Sequence, residues 1–174
     1  MEETREVAES RAPGAIALAS AVAERVEIRA VRLIRSACSQ SPRAAHVKQF
    51  KAELNRCSHH RLDERKNTIA VIAGFSLTGR DASQPPVAEP DLDVSADFLL
   101  LYTASSLAGL AQPNFEKFAE LNGTYNAWPY WREFLQSTMS RMGISPFVLP
   151  VFRIAGSHAA RSATPGDHTS PPPE

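Results

Sequence analysis

NAWPYWREFLQSTMSRMGISPFVLP, residues 126–150, is the stretch whose reading decides the fold. Trp128, Trp131, Phe134 or Leu135, Thr138 and Met142 recur at spacings of three and four, the period of one helix face. The spacing predicts a helix from about Asn126 to Met142. Pro129 lacks an N–H and is expected only in its first turn, and Gly143 supplies the stop. Glu133 falls near the positive end of the helix dipole. Arg132, Glu133, Gln136, Ser137 and Ser140 lie elsewhere on the cylinder. Trp128, Tyr130 and Trp131 are three aromatics within four residues, so they cannot all face one core. Trp131 is expected inside, and one of the three is expected to remain as exposed apolar surface, which marks an interface or a ligand groove.

Upstream the period changes from helical to alternating. Val26, Ile28 and Ala30 alternate with Arg25, Glu27 and Arg29, and past Ala30 the apolar phase slips to Val31 and Leu33. A strand with a β-bulge explains both, ending near Cys38. A second strand carries Phe50, Ala52 and Leu54 on one face, and the polar run Leu62 to Asn67 is a turn. Thr68 to Thr78 places Ile69, Val71, Ala73, Phe75 and Leu77 on one face and Ala70 and Ile72 on the other, as in a central strand. Val94 to Ser105 has Phe98, Leu100 and Tyr102 on one side and Leu99 and Leu101 on the other. Between these two runs, Gly79 to Asp93 reads as a long exposed loop with Pro85, Pro86 and Pro90. No helical pattern separates the strands, so the sheet is antiparallel, meander or Greek-key-like. Ala15 to Arg25 favours a short helix. Pro113 opens another short helix, Asn114 to Leu121, closed by Asn122-Gly123. Phe147 to Ile154, broken by Pro150, reads as an extended packing segment. The fold class is therefore α+β: a four-stranded antiparallel sheet packed with a short helix and one longer C-terminal helix.

The 174 residues fit one domain, expected over 15–154. Residues 1–14 read as a charged, disordered arm and 155–174 as a disordered tail rich in Pro and Ser. Nineteen basic residues balance nineteen acidic ones. Nothing global points to nucleic acid or an anionic membrane, and near-zero charge permits self-association. Ala15 to Ala23 is too short to span a bilayer and follows acidic residues, which predicts a cytoplasmic chain with no membrane insertion. Cys38 and Cys57 read as reduced, half-buried thiols.

Residues 126–150 resemble the most recognisable segment of the SecB protein-export chaperone family. The resemblance rests on Trp128, Pro129, Tyr130, Arg132, Glu133, Ser140, Arg141, Gly143, Pro146 and Leu149, and on the order of elements before them. The N-terminal helix and the missing second C-terminal helix are more similar to the divergent SecB-like branch, some of whose members serve toxin–antitoxin systems. The resemblance implies an ATP-independent chaperone with no cofactor and no metal, binding unfolded polypeptides or preproteins for export. It also implies a homotetramer, a dimer of dimers, with Tyr130, Arg132, Glu133, Gln136, Ser137, Ser140 and Arg141 as interface candidates. An apolar groove between sheet and helix is implied as well, with Phe98, Leu100, Tyr102, Trp128, Trp131 and Phe134 as candidates for client contact. Each of these six equally suits the core. The family's motor-docking sheet face is acidic, whereas the first strand here carries Arg25, Arg29, Arg32 and Arg35. Docking to a SecA-type translocation ATPase is therefore disfavoured.

Two other readings compete. A dedicated adaptor for one partner, such as an antitoxin, is the nearer one. An enzyme is remoter: Cys57, His59 and His60 form the one cluster able to bind a metal or activate a thiol, but their spacing is not that of a closed zinc site. On a strand, His59 and His60 point to opposite faces.

Overall fold

Alternation of apolar and polar residues organises four long strands, β1 (Val26–Gln40), β2 (Phe50–Asp63), β3 (Thr68–Asp81) and β4 (Leu92–Ala104). They are described by a computed structural model covering residues 14–85, 88–145 and 148–154. Residues 1–13 of the expected N-terminal arm and the whole of the expected C-terminal tail lie outside the described residues, as does Pro146 of the helical motif. All pairs are antiparallel, in the order β1-β4-β3-β2. β2, β3 and β4 follow one another as hairpins, while β1 returns beside β4. The arrangement is thus Greek-key-like rather than a plain meander. β3 and β4 are both longer than the sequence predicts and shorten the loop between them, since polar Thr78, Arg80 and Asp93 alternate correctly with buried Leu77 and Leu92.

β3 and β4 are central, and their alternation sorts them cleanly. Ile69, Val71, Ala73, Phe75 and Leu77, with Val94, Phe98, Leu100 and Tyr102, are buried on the inner face. β1 shows two register shifts against β4, between Ile28 and Ala30 and between Leu33 and Arg35. The first bulge falls within a residue of the predicted slip; the second is an addition. The first returns Val31 and Leu33 to the inner side, opposite Leu100 and Phe98, and the second sets Arg35 opposite Asp97.

Helices cover the inner face. α1 (Ala15–Ala23) packs beside α2 (Gln112–Phe118), where Asn114 Nδ2 donates to the Leu18 carbonyl at 3.1 Å. The Asn114 side chain also accepts from the Ala111 N–H at 3.0 Å and closes the helix start. The predicted break at Asn122-Gly123 is absent. α2 runs through a π-helical segment, Ala119–Gly123, into α3 (Thr124–Arg141). At 100° per residue, Phe115 and Trp131 would lie about 160° apart on a regular helix, nearly back to back. The wide turn absorbs a residue and reduces this to about 60°, so both reach one core. Gly123 permits the close approach: a Cβ there would sit 2.7 Å from Val71 Cγ1.

Pro129 also departs from expectation, standing at the sixth position of α3. It cannot donate to the Tyr125 carbonyl, but both residues are exposed on the helix surface, where water can serve a carbonyl in place of the missing N–H, and the helix continues. At one end of the sheet, buried Asp91 accepts from the Asp81 N–H (3.0 Å), Ser41 Oγ (2.8 Å) and Arg43 (3.1 Å). The Asp81 and Ser41 bonds hold its carboxyl below the ordinary range, against the opposing effect of burial.

Candidate functional site

α3 lies over β3 and β4 on a spine of buried side chains: Trp128, Trp131, Leu135, Thr138 and Met139. Trp131 stacks on Phe75 at 5.5 Å, and Trp128 meets the same ring edge-on at 5.8 Å. The six candidates for client contact divide accordingly. Phe98, Leu100, Tyr102, Trp128 and Trp131 are buried between sheet and helix, and Phe134 is half-buried. Tyr102 shows how fully that layer is sealed: burial pushes its phenol up while Asn126 Nδ2 donates to the oxygen at 3.0 Å. Of the three clustered aromatics, Tyr130 is the one left out, 48% exposed with its ring 6.4 Å from Phe98.

The helix has two flanks. Asn126 and Tyr130 face β4 and, beyond it, β1. Among the described residues the inner face is not closed there. Ile28 and Leu33 share that face with Tyr102 and Phe98 through their pairing, yet they are 46% and 47% exposed. An uncovered apolar strip therefore runs along β1, bordered by Tyr130 on the helix and floored by Phe98. β1 is also an edge of the sheet, so one row of its backbone N–H and C=O groups has no strand beside it among the described residues. The alternation in the sequence marks Ile28 and Leu33 as inward-facing without indicating that no layer among the described residues covers them.

On the opposite flank, Trp128 faces β2 and the segment after α3. Leu149 is buried there, and Trp128 Nε1 donates to the Pro150 carbonyl at 2.9 Å. Of the interface candidates, Tyr130, Glu133, Ser140 and Arg141 are exposed on the solvent side of α3, while Arg132, Gln136 and Ser137 are half-buried. Two buried nitrogens, Trp131 Nε1 and Arg132 Nε, have no partner among the described residues.

The outer sheet face carries a recess of about 270 Å³ over Gly74. Arg35, Asp97, Gly74 and Cys57 form one row across all four strands there, and Arg35 is paired to Asp97 at 2.6 Å. Cys57 and His59 project from this face, while His60 lies on the inner side against Phe115 at 6.1 Å. The thiol and the two imidazoles thus do not converge on one point. Cys38 and Cys57 are both exposed rather than half-buried, because they sit on the two edge strands. Among the described residues no three His, Cys, Asp or Glu side chains gather as a metal site, and no helix is long and apolar enough to cross a membrane.

No protein-family model and no curated protein sequence matches the chain. Among solved structures it is similar to a SecB-like chaperone of Mycobacterium tuberculosis, in complex with a ChAD peptide from the HigA1 antitoxin. The TM-score is 0.70 at 16% identity, over 80% of this chain and 99% of that one. A protein of unknown function from Streptococcus agalactiae gives 0.44 at 8% identity, over 72% of this chain and 96% of that one. A likeness of that second size carries no argument. The first shows that this chain has the SecB-like fold, despite its divergent sequence.

Proposed function

We propose that this chain of SecB-like fold is an ATP-independent holding chaperone, and that its client is a dedicated partner such as an antitoxin. One observation carries the reading: the open apolar strip formed by Ile28 and Leu33 beside Tyr130 and above Phe98. An unfolded segment laid along it would bury those side chains at about 25 cal/mol per Å² of apolar surface. It would also add main-chain hydrogen bonds to the β1 edge. Neither gain needs a nucleotide or a metal.

Two observations favour a dedicated client over general preprotein export. The mycobacterial protein of like fold holds an antitoxin peptide. The β1 region is basic, with Arg25, Arg29, Arg32 and Arg35, where the export resemblance implies an acidic docking face for the SecA-type motor. Preprotein holding remains the second reading, supported by the sequence motif around Pro129 and Tyr130. A cytoplasmic tetramer, with the solvent side of α3 at an interface, belongs to the same proposal. Glu133, Ser140 and Arg141, exposed on that side, are the residues it would cover.

The test is aggregation suppression without ATP, using several unrelated denatured proteins and peptides tiled from the polypeptides encoded beside this chain, with light scattering to follow assembly. Protection confined to one neighbour-encoded partner supports the dedicated reading. Equal protection of all supports the general one. A strict monomer that ignores every denatured chain and peptide would sink both.

A further inference from the structure

β1 presents two different faces along one open edge. On the inner side stand the half-exposed Ile28 and Leu33; on the outer side stand Arg29, Arg32 and Arg35. Arg29 is paired to Glu27 at 3.1 Å and Arg35 to Asp97 at 2.6 Å. Arg32, also exposed, meets no carboxylate among the described residues. A second copy of β1 laid antiparallel on this edge would bring the two arginine rows together, and like charges on facing strands are unfavourable. The edge calls instead for an acidic strand.

The chain carries one of suitable charge and reach. Residues 1–13, MEETREVAESRAP, set Glu2, Glu3, Glu6 and Glu9 against Arg5 and Arg11, with Val7 and Ala8 between them and no proline before the last position. They join the start of α1 at Gly14, and the other end of α1 leads through Glu24 and Arg25 into β1. At ~1.5 Å per helical residue and ~3.5 Å per extended one, Gly14 lies within about 22 Å of Val26. Thirteen extended residues span about 43 Å. They cover that distance and still run about 20 Å along β1, past Ile28 to Arg32. Entering from the Val26 end, they would lie antiparallel to β1.

We propose that residues 1–13 dock on the β1 edge of their own chain, glutamates toward Arg29 and Arg32 and Val7 toward Ile28, and close the apolar strip from within. This deepens the chaperone reading and rests on it for purpose, though not for the docking itself. The short tether through α1 holds the arm at an effective concentration on the order of millimolar. Occupancy from within lowers the apparent affinity for a segment arriving from outside. A client that displaces the arm therefore needs the same two features in greater measure, an acidic row and aliphatic side chains.

The experiment compares amide hydrogen exchange in the full native chain and in a full-length variant with Glu2, Glu3, Glu6 and Glu9 all replaced by glutamine. Loss of several exposed ion pairs is expected to speed exchange of the β1 edge amides about fivefold, with β3 unchanged. Arg32→Glu is expected to act in the same direction. A fluorescent, permanently unfolded polypeptide without charged residues is expected to bind the glutamine variant about fivefold more tightly than the native chain. Equal β1 exchange in native chain and variant overturns the proposal. So does protection that grows with protein concentration and ignores the glutamates, which marks a second copy as the occupant. Faster exchange with equal, measurable binding overturns closure of the strip. Faster exchange with no binding to either chain refutes the chaperone reading alone, and equal exchange with binding to both refutes the arm alone.

Discussion

Replacing Ile28 and Leu33 together by threonine removes the open strip while keeping residues that suit a strand. Full burial of an Ile or Leu side chain is worth about 1.5–3 kcal/mol. Just under half of each residue is open in the free chain, 46% and 47%, so a client that seals them gains about 1 kcal/mol at each. The double variant should then bind an unfolded client with a Kd raised about 30-fold, from roughly 2 kcal/mol in total. The covered halves also contribute to folding, so the melting temperature should fall by several degrees while the protein remains folded at 25 °C. The assay is titration with a fluorescent, permanently unfolded polypeptide. Leu99→Thr with Leu101→Thr is the control, because those side chains lie half-buried on the outer face of neighbouring β4. It should lose comparable stability and no affinity. If the control weakens client binding as much as the strip variant, or the strip variant binds normally, the assignment of the client to the β1 flank is wrong.

Gly123→Ala places a methyl group 2.7 Å from Val71 Cγ1, so denaturant unfolding should show a loss of about 1–3 kcal/mol, partly recovered by adding Val71→Ala. Asp91 is more acidic in the folded chain, through the bonds from Asp81 N–H and Ser41, than an ordinary carboxyl. Its ionised form therefore contributes stability that is complete above the unfolded-state value and is lost as pH falls through the lower folded one. Asp91→Asn should accordingly melt below the native chain at pH 7, and the gap should close below about pH 4 as Asp91 itself takes up a proton. A gap constant from pH 7 to pH 3 would refute the role of its charge.

The two central strands were readable because each residue of β3 and β4 obeys one alternation and both faces carry apolar side chains. The first bulge of β1 was readable from the slip between Ala30 and Val31. The second was hidden, because Leu33 and Ile34 are both apolar and fit either phase. A similar ambiguity split the long helix. The apolar phase breaks near Asn122, and a broken phase is produced equally by a stop and by a π turn. Only the packing of Gly123 on Val71 distinguishes them. For the site, sequence determines which way a strand residue points but not whether a second layer arrives above it. Hence Ile28 and Leu33 were placed on the inner face without their exposure being foreseen, while Phe98 and Trp128, chosen for their size, are covered. That one of three aromatics must protrude followed from spacing; that it is Tyr130 depends on where the helix axis lies. Residues 148–154 were legible as a packing segment, yet nothing in their order indicated the β2 side, which is decided by the indole of Trp128.

The wide turn at Ala119–Gly123 makes chain length itself informative. Deleting a single residue there would leave an unbroken, locally better helix, but every later side chain would swing by about 100° about its axis. Trp131 would leave Phe75, and Tyr130 would move out of register with β1. An alignment with a member of this fold that lacks the turn must therefore open a one-residue gap here, or the faces of α3 will be compared about 100° out of step.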